Sequence, residues 1–91
     1  MLMRTALGYV LREERLSKGK TLRQITGEAK MALGYLSEIE RGHKEASSEI
    51  LQSLCDTLGT STSEILIRTA ELMEFRVITD NETPELAVIK S

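Results

Sequence analysis

The residues of this chain that could do chemistry are mainly cations, and they concentrate in its first half. Residues 1–44 contain nine Lys and Arg against five Asp and Glu, whereas residues 45–91 contain three against nine. The two parts therefore carry formal charges of +4 and −6, although the whole chain carries only −2. This asymmetry predicts an anionic partner for the first half.

Four of these basic residues lie in or beside two predicted short helices joined by a turn near Lys30 and Met31. This arrangement has the form of a helix-turn-helix, whose second helix enters the major groove of DNA. In the second helix, Leu36 and Ile39 have the spacing of an inward face. Helical geometry of about 100° per residue then places four residues outward and two beside them. The outward residues are Gly34, Ser37, Glu38 and Arg41, and the flanking residues are Leu33 and Tyr35.

Three residues on or beside this face have candidate contacts with DNA bases. Glu38 can accept a hydrogen bond from cytosine N4, Leu33 can meet a thymine methyl, and Ser37 can bond a base or a phosphate. Gly34 would allow the helix backbone to approach DNA closely. The alternatives are that Glu38 is an ordinary solvated charge and that Gly34 is simply tolerated in a first helical turn.

Phosphate contacts are expected from cations and from one helix N-terminus. The cations are Arg23, Lys30, Arg41 and Lys44, with Lys18 and Lys20 beside them. Thr21 caps a helix whose free backbone N–H groups can receive a phosphate, although capping alone explains this residue. Any single surface cation is more often only solvated, so the prediction rests on their joint placement. His43 is expected to be a surface loop residue, with a phosphate contact as the alternative.

Hydrophobic periodicity and capping residues predict five helices and an all-α fold. The predicted ranges are Leu7–Ser17, Leu22–Ala29, Ala32–Arg41, a fourth helix from Ser47 or Ser48 to Leu58, and a fifth from the Ser61–Glu64 capping box to Met73 or beyond. Their expected core residues are Leu7, Val10, Leu11, Leu22, Ile25, Ala29, Leu36, Ile39, Leu51, Leu54, Cys55 and Leu58. Residues 1–66 are predicted to form the helix-turn-helix domain, and residues 67–91 a C-terminal extension.

The fifth helix has two apolar faces. One consists of Leu66, Ala70, Met73 and Val77, and the other of Ile65, Leu72 and Phe75. Because a small core can cover only one of them, the other is predicted to meet a second copy across a two-fold axis. We assign Leu66, Ala70, Met73 and Val77 to this homodimer interface, with a tail folding back as the alternative. The segment Phe75–Thr79 also has strand character, and Thr83–Glu85 could begin a last helical turn.

Other classes of function are disfavoured by composition. One Cys and one His cannot complete a four-ligand zinc site, and Cys55 lies in a predicted core stripe, so neither a metal, a cofactor nor an enzyme is expected. The longest run without a charged residue has 7 residues, for example Thr5–Leu11, whereas a membrane span needs about 20 apolar residues and a signal peptide an apolar run of about 7 to 15. A cytoplasmic protein without a membrane partner is therefore predicted.

Many of these residues together resemble the Xre/Cro-type helix-turn-helix domain of bacterial and phage regulators, over about Leu7 to Leu66. The matching positions are Leu7, Gly8, Leu11, Arg12, Arg15, Gly19, Thr21, Ile25, Leu36, Ile39–Gly42, Leu58 and Gly59. The resemblance implies a lambda-repressor-like fold in which Arg15 pairs with Glu40 as a structural ion pair. The chain departs from the family pattern at Leu22, where a glutamine is usual, and at Lys30, where the turn usually has a glycine.

The segments Leu33–Glu38 and Lys44–Ser48 resemble more narrowly the actinobacterial regulators of Clp protease genes. This resemblance implies an activator of proteolysis and stress genes, with RNA polymerase and the Clp protease itself as further candidate partners. The predicted function is a sequence-specific transcriptional regulator that binds double-stranded DNA as a homodimer on an inverted repeat. The alternative is a helical protein-interaction module, antitoxin-like or an adaptor, which binds a protein through its acidic half and has no specific DNA target.

Overall fold

The computed structural model describes the backbone of residues 1–81 and the side chains of residues 1–75. These residues form five α-helices: α1 (Met3–Ser17), α2 (Leu22–Ala29), α3 (Leu33–Glu40), α4 (Ser48–Leu58) and α5 (Thr62–Asn81). The predicted all-α, five-helix architecture is confirmed. The predicted last turn at Thr83–Glu85 lies outside the described residues.

Hydroxyl caps and glycines set most of the helix ends. The Thr21 hydroxyl accepts from the Gln24 N–H at 3.1 Å, and the Gln24 side chain accepts from the Thr21 N–H at 2.8 Å, which completes a capping box. Ser47 and Ser61 accept in the same way at the starts of α4 and α5. Gly59 ends α4 in the left-handed conformation, with φ of +72°.

Two predicted boundaries are corrected. The first helix begins at Met3 rather than at Leu7, because the carbonyl of Leu2 accepts the N–H groups of Thr5 and Ala6 without any side-chain cap. The prediction had relied on apolar spacing, which the exposed Met3 does not provide. The third helix is one residue shorter at each end than predicted, because Ala32 and Arg41 are its N-cap and C-cap.

The core is a single cluster to which every helix contributes. Its buried members are Leu7, Val10, Leu11, Ile25, Leu36, Ile39, Leu51, Leu54, Cys55, Leu58 and Ile65. The predicted core residues Leu22 and Ala29 are only partly buried at its edge. Burial raises the pKa of the Cys55 thiol, which favours the neutral and unreactive form.

The long α5 helix extends over residues where a strand was an alternative. It continues without interruption through residues 75–79 to Asn81, so the strand alternative is wrong. Extending an existing helix adds one hydrogen bond for each residue fixed, which outweighs the weak β preference of a short segment. Of its two apolar faces, the core covers the one that contains Ile65 and Leu72. Phe75, predicted on that covered face, is 50% exposed at its far end.

An ion pair fastens α5 to α1. Nη1 of Arg68 lies 2.5 Å from Oε1 of Glu14, and Nζ of Lys18 lies 3.4 Å from Oε2 of the same carboxylate. The Glu14 side chain is 12% exposed. The hydrogen bond from Arg68 is the main reason that the pKa of Glu14 is lowered, and burial opposes it.

This pair predicts a pH-dependent contribution to stability. Because the pKa of Glu14 is lower in the folded state, its contribution is complete at neutral pH and is lost as the pH falls through the folded-state pKa. Glu14→Gln should therefore lower the melting temperature at about pH 6, and the difference from wild type should shrink towards about pH 3. Thermal melts across this range test the prediction, with the exposed neighbour Glu13→Gln as the control. A difference that stayed constant with pH would contradict it.

Candidate nucleic-acid interface

The turn between α2 and α3 consists of Lys30, Met31 and Ala32. Lys30 is the C-cap of α2 in the left-handed conformation, with φ of +56°, and it is the only described residue other than glycine with positive φ. Its N–H and that of Met31 both donate to the carbonyl of Thr26. A lysine here is strained by about 1 kcal/mol or more relative to glycine, yet the turn keeps its three-residue length.

The outward face of α3 is open at the centre. A Cβ built on Gly34 would meet no atom within 4 Å, so no packing requirement explains the glycine. Ser37 and Glu38 are partly exposed on the same face, and Leu33 is 37% exposed at the start of the helix. The helix therefore presents a smooth backbone patch beside one hydroxyl and one carboxylate.

Tyr35, predicted to flank the outward face of α3, has partners within the protein. Its hydroxyl donates to the carbonyl of Glu45 at 3.1 Å, and its ring packs against the core. The side chain therefore connects α3 to the loop before α4.

Three of the predicted phosphate-binding cations have no ion pair with any residue that the structure describes. They are Arg23, Lys30 and Lys44, and all are exposed. Arg23 lines an open groove of about 570 Å³ together with Lys20, Thr21 and Leu33, so the first residue of α3 borders the same groove as the start of α2. Lys30 and Lys44 come just before and just after α3. Lys20 lies 3.5 Å from the Glu28 carboxylate, and Lys18 belongs to the Glu14 cluster.

Arg41 and Glu38, predicted to act separately, are brought together. Nη2 of Arg41 donates to Oε1 of Glu38, and Nδ1 of His43 lies 3.5 Å from Oε2 of the same carboxylate. The three-residue spacing of Glu38 and Arg41 was a signal of this pairing that the sequence prediction did not use. The approach of His43 to Glu38 had no such signal, because it depends on the backbone after α3.

Arg15 and Glu40 support α3 from behind. Nε and Nη2 of Arg15 donate to the two oxygens of Glu40 at 2.8 and 3.0 Å, and Nη1 donates to the carbonyl of Lys20 at 2.9 Å. The two side chains are only 10% and 5% exposed. The hydrogen bonds to Glu40 raise the pKa of Arg15, so the guanidinium stays charged despite its burial.

Gly8 allows α1 to cross α3 at backbone contact. A Cβ at this position would lie 2.2 Å from the carbonyl oxygen of Ile39 and 2.8 Å from that of Glu40. No side chain fits between the two helices at this point, so Gly8 sets the distance of α3 from the body of the protein. The sequence contained Gly8 as part of a family pattern but gave no physical reason for it.

Three of the four predicted dimer residues lie on a face of α5 that the described residues leave exposed. Leu66 is 42% exposed, Ala70 is exposed, and Met73 is partly exposed. The side chain of Val77, the fourth member, lies outside the described residues. On the other flank of α5, Phe75 and Leu72 line a cavity of about 370 Å³ with Met1 and Tyr9 of the N-terminal segment.

A capped α2, a three-residue turn and an α3 with an open outward face define a helix-turn-helix protein. The chain belongs to the helix-turn-helix family, whose model matches residues 11–65. It is 50% identical over 72 residues to the transcriptional regulator ClgR of Mycobacterium tuberculosis, an alignment that covers 79% of this chain and 64% of that protein. It is also 43% identical over 56 residues to the HTH-type transcriptional regulator DdrOP3 of Deinococcus deserti, covering 62% of this chain and 43% of that protein.

Solved structures show the same fold. The crystal structure of the clp gene regulator ClgR from Corynebacterium glutamicum superposes with a TM-score of 0.85 at 43% identity, over 98% of this chain and 90% of that chain. The restriction-modification controller protein C.Esp1396I, solved as a tetramer with its 35 base-pair operator, has a TM-score of 0.71 at 20% identity, over 78% and 93% of the two chains. At that identity the likeness concerns the fold alone. Among the described residues, no helix is long and apolar enough to cross a membrane.

Proposed function

We propose that this chain is a sequence-specific DNA-binding transcriptional regulator that inserts α3 into the major groove. The observation that carries the proposal is the outward face of α3, where Gly34 is unhindered and where the neighbouring segments contain exposed cations that have no ion pair with any described residue. A glycine in the first turn of a helix lowers stability by up to about 1 kcal/mol relative to alanine, and a surface that must approach the helix backbone would account for Gly34.

The residues divide into two groups by their contacts. Arg23, Lys30 and Lys44 bind phosphates together with the N–H groups at the Thr21 cap, which fixes the orientation of the domain. Leu33, Ser37 and Glu38 contact base edges and give the sequence preference. Tyr35 supports the loop that carries Lys44, since its hydroxyl donates to the carbonyl of Glu45, the residue after Lys44.

The proposal is tested by measuring affinity for DNA against salt concentration. The chain is first used to select duplexes from a random pool, and the affinity for the selected duplex is then titrated from about 50 to 200 mM salt. We expect a selected consensus and a steep loss of affinity, with a slope of about 0.9 per phosphate neutralised. Absence of any duplex binding at the lowest salt, with a stoichiometric protein partner recovered instead, would support an interaction module.

Gly34→Ala separates a DNA-facing glycine from a tolerated one. Gly27 in α2 is a matched control, because a Cβ there also meets no atom within 4 Å. Both substitutions should raise the free energy of unfolding, by up to about 1 kcal/mol. Only Gly34→Ala should weaken binding to the selected duplex, by about tenfold or 1.4 kcal/mol. If Gly34→Ala and Gly27→Ala bound the selected duplex with equal affinity, Gly34 would not lie at the contact with DNA.

The proposal includes a homodimer on an inverted repeat with half-sites about one helical turn apart. The exposed stripe of Leu66, Ala70 and Met73 supports it, since apolar residues on a free helix face favour a protein contact. In this proposal residues 1–66 bind DNA and residues 67–91 act in dimerisation. The boundary between these two parts of the chain lies inside α5. A cytoplasmic location follows from the DNA partner.

Ala70→Glu tests which flank of α5 forms the dimer. Ala70 is exposed, so the substitution should leave the monomer folded while placing a desolvated charge at the interface. We expect a dimer for wild type and a monomer for Ala70→Glu at micromolar concentration in light scattering. Phe75→Glu, on the opposite flank, should remain dimeric. The reverse result would assign the interface to the flank of Phe75, and a monomeric wild type would contradict the dimer.

The similarity to the ClgR proteins supports Clp protease genes as the targets, with activation through RNA polymerase and the Clp protease as a further partner. The chain spans 64% of the length of the Mycobacterium tuberculosis ClgR. The selected consensus is expected upstream of Clp genes in the source genome, and its absence there would argue against this target set.

A further inference from the structure

The loop after α3 carries Lys44 between two residues whose carbonyl groups are bound by side chains of other elements. Nε of Arg4, in the first turn of α1, donates to the carbonyl of Gly42 at 3.2 Å. The hydroxyl of Tyr35, in α3, donates to the carbonyl of Glu45 at 3.1 Å. The first bond lies two residues before Lys44 and the second lies one residue after it, so two helices hold the backbone on both sides of this lysine.

The turn that receives the Arg4 hydrogen bond is packed tightly on α1. Gly42 is buried, and a Cβ built on it would lie 2.9 Å from the Cα of Thr5. Its φ is +77°, and its N–H donates to the carbonyl of Ile39 at 3.0 Å, which closes the end of α3. Packing therefore places the turn beside α1, and the hydrogen bond from Arg4 fixes the orientation of the peptide group that leads towards Lys44.

The two basic side chains at this loop differ in their surroundings. Arg4 is partly buried, and its hydrogen bond joins segments 38 residues apart. Lys44 is exposed and forms no ion pair with any residue whose side chain the structure describes. A lysine has a long and flexible stem, so the position of its ammonium group depends on how well its backbone is fixed. The structure thus places a restrained backbone under a free cationic side chain.

We propose that Arg4 is a positioning residue for the phosphate contact of Lys44, because it fixes the loop from the side of α1 as Tyr35 does from the side of α3. The inference rests on the proposed function, in which Lys44 binds a phosphate. Ordering a loop on binding costs conformational entropy, and a loop that is already ordered in the free protein loses less of it. Loss of the Arg4 hydrogen bond should therefore weaken the contact that Lys44 makes.

The competing explanation is that Arg4 itself binds a phosphate, as one more cation of the basic half. The two roles differ in their dependence on Lys44. A positioning residue matters only while Lys44 is present, whereas a second phosphate contact contributes independently of it. The coupling between the two residues therefore distinguishes them.

A double-mutant cycle with the full chain and the selected duplex tests the proposal. Arg4 lies outside the core cluster, so Arg4→Met should remain folded, which a thermal melt verifies. It should weaken binding about threefold to tenfold, the range expected for ordering one loop side chain. In the Lys44→Gln background the same substitution should change the affinity by less than about twofold. In the Lys30→Gln background the full effect should remain, because Lys30 precedes α3 and does not belong to this loop.

Two further variants separate the hydrogen bond from the charge of Arg4. Arg12→Met removes an exposed cation from the same helix and should weaken binding less than Arg4→Met does. Tyr35→Phe removes only a hydroxyl and leaves the net charge unchanged, and its effect should also disappear in the Lys44→Gln background. The slope of affinity against salt should fall by about 0.9 in Lys44→Gln and no further when Arg4→Met is added.

The possible failures point to different conclusions. An equal effect of Arg4→Met with and without Lys44, and a salt slope lower by about 1.8 in the double variant, would identify Arg4 as a direct phosphate contact and overturn the positioning role. An affinity unchanged in Arg4→Met would overturn it as well. A wild type that binds DNA as strongly as Lys44→Gln would remove the contact of Lys44 and with it this role of Arg4. A wild type that binds no duplex would overturn the proposed function together with this inference.

Discussion

Gly8→Ala should lower the free energy of unfolding by about 3 kcal/mol or more. The added Cβ would lie 2.2 Å from the carbonyl oxygen of Ile39, and backbone atoms cannot move away as the end of a side chain can. Either α1 and α3 separate, which opens the core, or α3 shifts. In a domain of this size the loss corresponds to a melting temperature lower by about 12 to 24 °C. Thermal or urea unfolding followed by circular dichroism measures it.

The control for Gly8→Ala is Gly27→Ala, which makes the same chemical change in a helix with free space around the new Cβ. That variant should be as stable as wild type or slightly more stable, because alanine is the better helix former. If Gly8→Ala and Gly27→Ala had the same melting temperature, α1 and α3 would have room to separate without a loss of stability. If the Gly8→Ala protein remains folded, the affinity of this variant for DNA should still decrease, since α3 would be displaced from its packing position against α1.

Glu40→Gln should cost about 3 kcal/mol of stability, because it leaves the Arg15 guanidinium buried without a carboxylate. Both side chains are at most 10% exposed, so water cannot replace the lost partner. The loss should exceed that of any exposed ion pair of this chain. Glu28→Gln is the matched control, since Glu28 pairs with Lys20 at 3.5 Å on the surface and should contribute less than about 1 kcal/mol.

A double variant shows whether the loss of stability comes from leaving one buried charge without a partner or from losing the attraction between Arg15 and Glu40. Arg15→Met combined with Glu40→Leu removes both charges and should recover most of the stability lost in either single variant, because no buried ion remains. Denaturant unfolding of the four proteins in the cycle measures the coupling. If the double variant is as unstable as the sum of the single variants, the pair does not act as a unit.

Much of the candidate site follows from local signals in the sequence. The Thr21 and Gln24 pattern specified a capping box, and the structure contains both hydrogen bonds at the predicted start of α2. The inward positions of Leu36 and Ile39 determined the outward face of α3, because helical geometry leaves one solution. These features depend on residues within one or two turns of each other, which is the distance over which sequence patterns are informative.

Some contacts within the protein were not predicted because they depend on residues outside that distance or on backbone conformation. The hydroxyl of Tyr35 donates to the carbonyl of Glu45 in the next loop, for which the sequence contained no local signal. His43 is exposed, as predicted for a surface loop residue, and the left-handed Gly42 turn brings it within 3.5 Å of Glu38. The pairing of Arg41 with Glu38 is different, since its three-residue spacing was available in the sequence.

Periodicity and hydrogen bonds between near neighbours were sufficient to predict the order of the helices, the Thr21 capping box and the polar face of α3. The position of α3 on the rest of the protein depends instead on the backbone contact at Gly8 and on the burial of the Arg15–Glu40 pair. The apolar face of α5 that the described residues leave exposed likewise depends on how the helices pack. Packing distance and burial involve segments far apart in the chain, and no local pattern encodes the space between such segments.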